Sequence, residues 1–143
     1  MSAEAKPTPD QLRAKHAWEA VLEASKDVKG FPKYLGAARK LPVRIMASGL
    51  GQAVVFVRAK AAKTPALKML IQHLSDWVLR QPPNGALVKP PLGENELIEA
   101  IIGTKKPSTA DDLRQFTAET LAYLRWLNRF CEATGVTEEE VDE

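Results

Sequence analysis

The chain has 143 residues, one cysteine, two histidines and a net charge of +2, a length that suits a single domain and lets it bury about 68–70% of its unfolded surface without a staple. Cys131 has no second cysteine to pair with, the opening MSAEAKPTPD lacks the apolar centre of a signal peptide, and the longest apolar run, Ala53 to Val57, is far too short to span a bilayer. The expectation is a soluble, cytoplasmic protein with no internal disulfide and no membrane partner.

Residues 1–7 are polar and aperiodic and are expected to be a disordered N-terminus. Thr8-Pro9-Asp10-Gln11 then reads as a helix start, with Thr8 as cap, Pro9 at the first helical position and Gln11 closing a capping box. Leu12, Ala14, Trp18, Val21, Leu22 and Val28 form one apolar stripe on this first helix, expected to end at Gly30. Pro32 opens a second helix, whose stripe is Tyr34, Leu35, Ala38, Leu41, Ile45 and Met46. Pro42 lies inside that pattern, removes a backbone donor and predicts a kink or an interruption. Ser48 is the expected cap of the third helix, Leu50 to Ala62. Its contiguous Val54, Val55, Phe56 and Val57 would also suit a strand; the alanines around them and the helical neighbours favour a buried central helix.

Thr64-Pro65 repeats the cap-then-proline start, and Leu67, Leu70, Ile71, Leu74 and Val78 make the stripe of a fourth helix, with Trp77 beside it. Gln81 to Gly93, rich in proline and glycine, reads as a loop. A short helix, Glu94 to Ile102, is expected to be buried through Leu97, Ile98, Ile101 and Ile102 and closed by Gly103, with Glu94, Glu96 and Glu99 on a solvated face. Ser108 should cap the last helix, Asp111 and Asp112 suit its first turn, and Leu113, Phe116, Thr117, Leu121, Leu124, Leu127, Phe130 and Cys131 carry its stripe toward Gly135. The fold class is therefore all-α: a single-domain bundle of about six helices over residues 8–135, followed by an acidic tail over 136–143.

Catalytic chemistry finds little support. His16 and His73 fall on different helices with one cysteine in the chain, so no metal ligand set is expected, and no cofactor. His73 reads as a flanking or satisfied core histidine, and Cys131 as a buried structural thiol. Gly49-Leu50-Gly51 has neither the preceding strand nor the lysine of a phosphate-binding loop and reads as a tight turn between helices. The expectation is a protein that is not an enzyme.

Charge is the positive signal. From Lys26 to Ser75 there are ten basic residues against one acid, Asp27, a local charge of +9, whereas Val136 to Glu143 carries −5. Such asymmetry fits a polyanion-binding body with an acidic tail, although a basic segment can also be a solubilising face. Lys33, Lys40 and Arg44 are seven and four residues apart, which puts them on one side of the second helix, opposite Tyr34, Leu41 and Ile45. Arg39 flanks them, and Arg58, Lys60 and Lys63 extend the charge at the end of the third helix. These seven are the candidate RNA-binding residues. Tyr34 and Phe56 fall on apolar faces, so contact with the phosphate backbone would dominate over base stacking. The same face could instead dock an acidic patch on a protein partner.

Arg39-Lys40-Leu41-Pro42-Val43-Arg44-Ile45 followed by Gly49-Leu50-Gly51-Gln52-Ala53-Val54-Val55-Phe56 resembles the core of the Cmr small-subunit family of type III-B CRISPR effectors. Leu74-Ser75-Asp76-Trp77-Val78 resembles that family's Leu-x-x-Trp-Leu helix, and Leu121 to Ala133 its closing helix. The likeness spans Lys33 to Ala133. Ser48 stands where the family often has Asn, and the proline-rich loop and acidic tail are particular to this chain. The resemblance implies a helical bundle without a catalytic site. It also implies a subunit that stacks on copies of itself and on the large subunit in a minor filament flanking the CRISPR RNA–target RNA duplex, with the backbone subunits alongside. It further implies that Leu41, Pro42, Leu50, Phe56 and Trp77 are core rather than contact residues.

Overall fold

A computed structural model describes residues 5–81 and 94–139. The first four residues of the expected disordered N-terminus, residues 82–93 of the expected loop and the last four residues of the acidic tail lie outside the described residues. Six helices and no strand occur among the described residues: α1 Pro9–Ser25, α2 Phe31–Ser48, α3 Leu50–Ala61, α4 Pro65–Val78, α5 Glu96–Ile102 and α6 Ala110–Ala133. The Val54 to Val57 run is helical, as expected. Val54 and Val57 are buried, while Val55 is 46% exposed, so α3 presents one side outward rather than being apolar and buried all round.

Local chemistry sets the helix ends. Thr8 and Gln11 form the expected capping box, Gln11 N–H donating to Thr8 Oγ1 at 3.1 Å and Thr8 N–H to Gln11 Oε1 at 2.8 Å. Proline occupies the first turns of α1, α2 and α4. Three boundaries differ from expectation. α1 stops at Ser25 rather than Gly30, because Gly30 instead precedes α2, its N–H donating to Asp27 Oδ1 at 3.0 Å. The cap of α3 is Gly49 rather than Ser48; its φ of 85° makes a one-residue elbow between α2 and α3 that a side chain would strain. The cap of α6 is Thr109 rather than Ser108, in a reciprocal box with Asp112.

The apolar stripes of α2, α4 and α6 converge on one core that includes Leu35, Leu41, Ile45, Leu67, Leu70, Ile71, Leu74, Val78, Phe116, Leu124 and Leu127. Met46, expected in the α2 stripe, is 76% exposed, as are Ile102 of α5 (65%) and, in part, Leu113 of α6 (40%). α1 departs most. It packs chiefly against α6, and it does so through Ala17, Ala20, Val21 and Ala24. Small side chains let the two backbones come close, so Leu12, Trp18 and Leu22 are left at the rim and Val28 lies outside the helix at 80% exposure. Trp18 meets Phe130 edge-on there, with ring centres 5.2 Å apart.

Two parallel polar chains run inside the bundle. The Tyr34 hydroxyl lies 2.8 Å from His73 Nδ1, and His73 Nε2 lies 2.8 Å from Glu23 Oε1. The Tyr123 hydroxyl lies 2.7 Å from His16 Nδ1, and His16 Nε2 lies 2.8 Å from Asp76 Oδ2. A carboxylate can only accept, so each Nε2 donates to its carboxylate, which in a neutral imidazole leaves Nδ1 to accept from the tyrosine. Burial keeps both tyrosines protonated, raising them well above their ordinary value. His73 is thus a satisfied core histidine, joining α2, α4 and α1. Beside these chains, Glu119 of α6 accepts from the Arg13 guanidinium and, at 2.8 Å, from the Trp77 indole N–H.

Of the kink or interruption expected at Pro42, the interruption does not occur: α2 runs as a single helix through it. The proline has no N–H for the Ala38 carbonyl, and the Asn128 side-chain amide of α6 donates to that carbonyl at 3.0 Å instead. Replacing Asn128 with Ala should cost about 1 kcal/mol, the net worth of a partly buried hydrogen bond. In a Pro42→Ala background the helix regains its own donor, so the same change should cost clearly less. Urea unfolding of the two singles and the double measures the coupling, and strict additivity would refute this account.

Burial pushes the His73 imidazole below its ordinary value, outweighing the opposing hydrogen bond to Glu23. A base whose folded pKa is depressed takes up its proton more readily in the unfolded chain. Stability is therefore complete above about pH 6.5 and falls as pH drops from there toward the depressed value. His73→Gln should flatten that fall, as read from urea midpoints at pH 7.5 and 5.5.

Candidate nucleic-acid interface

The period of α2 that buries Tyr34, Leu41 and Ile45 turns Lys33, Lys40 and Arg44 to the other side. Lys40 and Arg44 line a shallow cleft together with Gly36, Ala37, Phe56, Val57, Lys60 and Leu67. The structure therefore brings two α2 cations and one α3 cation to a common surface, with Lys33 one turn before Gly36 on the same row. Phe56 is half-buried rather than fully absorbed into the core. The Arg44 guanidinium carbon sits 3.7 Å from its ring centre and Lys60 Nζ 4.8 Å. The ring's negative face draws both cations inward and fixes their spacing, a contact worth about 0.5–1 kcal/mol where solvent reaches it. Sequence reading assigned Phe56 to an apolar face; its position four residues before Lys60 was the available sign of this role.

The other candidates part company. Arg58 turns toward the start of α5, donating to Asn95 Oδ1 at 3.0 Å and pairing with Glu94 Oε2 at 3.2 Å; Lys68 Nζ approaches Glu94 Oε1 at 3.7 Å. Glu94 is thus a bridge from α3 and α4 to the α5 end rather than part of a solvated face, and it lies before the helix, not in it. Glu99 does face outward, beside Lys105. Lys63 is exposed, two residues beyond the end of α3.

Arg39 and Lys33 meet the tail. Gly135, at φ 75°, turns the chain after α6, and residues 136–139 run back over α2. Arg39 pairs with Glu138, Lys33 Nζ lies 4.0 Å from Glu139 Oε2, and the Glu139 N–H donates to the Pro32 carbonyl at 2.8 Å. The tail and the basic body are far apart in the sequence, whose periodicity carries no sign of this contact.

Other chemistry is sparse among the described residues. No three His, Cys, Asp or Glu side chains gather there as metal ligands. Both nitrogens of each histidine are engaged in the tyrosine–carboxylate chains. Cys131 is buried, and burial pushes its thiol up to about 12. No described helix is long and apolar enough to cross a membrane. What the surface can do is hold closely spaced anionic oxygens through side-chain cations.

The family model described as CRISPR-associated protein (Cas_Cmr5) matches residues 9–134. A curated relative, the CRISPR system Cmr subunit Cmr5 of Thermus thermophilus, is 32% identical over 126 residues, which is 88% of this chain and 95% of the relative. The crystal structure of a CRISPR-associated Cmr5 family protein, also from Thermus thermophilus, matches with a TM-score of 0.69 at 31% identity, covering 90% of this chain and 97% of that one.

Glu94 and Asn95 hold the Arg58 guanidinium. Arg58→Met should therefore leave nearly unchanged the salt concentration at which the protein leaves a heparin column. A marked fall would mean that Arg58 engages polyanions despite its partners.

Proposed function

Because the chain belongs to the Cmr5 family of CRISPR-associated proteins, we propose that it is a non-catalytic small subunit of a type III-B CRISPR ribonucleoprotein, the Cmr complex, which contacts the RNA backbone through the basic face of α2 and α3. The observation that carries this reading is the cationic row Lys33, Lys40 and Arg44 with Lys60 across the cleft, held in place by Phe56 and by a helix whose opposite side is core. Arg39 and Lys63 stand at its margins; Arg58 is left out because its guanidinium is held by Glu94 and Asn95. Cationic side chains without exposed aromatic platforms beside them favour phosphates over bases, as a subunit flanking duplexes of many sequences requires.

In this reading the chain acts in the cytoplasm, stacks on copies of itself and on the large subunit in the minor filament, and lies beside the backbone subunits, the CRISPR RNA and the target RNA. It uses no cofactor. Assembly needs protein contacts as well, and one feature favours a protein-docking role: Val55, Ile98, Ile101, Ile102 and Leu113 line an open apolar groove next to the Gly49–Gly51 turn. A scaffold role without RNA contact is the second reading.

The test is charge reversal, Lys40→Glu with Arg44→Glu, in the assembled complex. RNA affinity should fall, and the log–log salt slope should shrink by roughly 0.7 for each phosphate no longer engaged. An unchanged slope with normal assembly would reject the RNA reading; release of the mutant chain from the complex with the slope unchanged would establish the scaffold reading.

A further inference from the structure

We propose that the acidic C-terminal segment is an intramolecular pseudo-ligand: it occupies the cationic face of α2 and has to leave before an external polyanion can bind there. This inference rests on the basic face being a polyanion site. Its own observations are separate from that reading. The segment is docked rather than simply adjacent: Glu138 on Arg39, Glu139 beside Lys33 at 4.0 Å, and the Glu139 N–H on the Pro32 carbonyl at 2.8 Å. Two of the seven candidate RNA-binding side chains, Lys33 and Arg39, are thereby paired with acids of the same chain.

The local sequence accommodates the docked segment. Gly36 lies between Lys33 and Lys40 on the row, and a Cβ there would stand 2.5 Å from the Glu139 carbonyl oxygen, closer than such atoms approach. A helix interior disfavours glycine by roughly 1 kcal/mol relative to alanine, so this position bears a cost that the passage of the tail explains. Gly135 supplies the turn that aims the segment.

The docking is also displaceable. Glu138 Oε2 is buried without a hydrogen-bond partner among the described residues, an unmet demand that weakens the contact. Arg39 is well exposed and Lys33 partly so, and water and salt compete for both. A short tether gives such a segment a high effective concentration, which suffices to suppress weak polyanions, while a long RNA with many phosphates displaces it. An external ligand then binds with an affinity reduced by the fraction of molecules whose tail is undocked.

The test uses the full chain and a fluorescent single-stranded uridine oligonucleotide of about 15 residues, long enough for several phosphate contacts. Glu138→Gln with Glu139→Gln removes the charges. Gly36→Ala removes none, favours the helix and evicts the tail by volume alone. Each should bind RNA about threefold or more tighter than wild type at low salt, the scale of one or two exposed ion pairs, and the gain should vanish as salt screens them. Lys40→Glu with Arg44→Glu should weaken binding in every background. If that reversal weakens binding but neither tail variant improves on wild type, the pseudo-ligand fails and the RNA face stands. If the reversal has no effect in any background, the RNA face fails and this inference with it. A carbodiimide crosslink between Lys33 and Glu139 in the free protein reads docking without RNA; its absence, or its persistence when RNA is bound, overturns the proposal.

Discussion

One carbonyl group governs much of this molecule. Pro42 takes the backbone donor away from Ala38 in the middle of α2, where an unpartnered acceptor would be costly, and the Asn128 amide of α6 replaces it. Because the bond crosses between helices, it sets the position of α6 along α2 as well as satisfying the carbonyl. Continuity of α2 then keeps Lys33, Lys40 and Arg44 on one row, since a break at Pro42 would rotate Arg44 away from the other two. The same bond places the end of α6, and with it the origin of the tail, beside α2.

The interior solves a related problem with tyrosine, histidine and carboxylate. Each chain runs from a buried hydroxyl to a carboxylate nearer solvent, so no donor or acceptor along it is stranded. Such directional bonds specify which helices are neighbours and in what register, which apolar contact alone does loosely. Glu119 does similar work between α1, α4 and α6 through Arg13 and Trp77. The histidines that a motif search would flag as chemical are therefore architectural, and the cationic row lies on the other side of α2.

Much of this was legible in the sequence, and the failures share a cause. Proline-led starts and the stripes of α2 and α4 are local signals, and they located those helices well. The face of α1 is misread from the bulk of Leu12, Trp18 and Leu22, whereas close approach to α6 selects the alanines. Ser48 against Gly49, and Ser108 against Thr109, are adjacent candidates that only backbone geometry separates. The cationic row was visible as spacing. The diversion of Arg58 to Glu94 and Asn95 and the return of Glu138 and Glu139 to α2 were not, because each joins residues distant in sequence. Periodicity records which side of a helix faces inward; it holds no record of which charges meet across the surface.

The lone thiol has a practical meaning. Cys131 lines the cleft that Val136 and Glu138 bound on its other side, is 4% exposed, and is held as the unreactive protonated form by burial. Only the thiolate reacts, and only where a reagent can reach it. The folded protein thus carries an internal clock: alkylation proceeds no faster than the cover over Cys131 opens, and the 136–138 segment is part of that cover, so the labelling rate of one sulfur times its movement without any introduced probe.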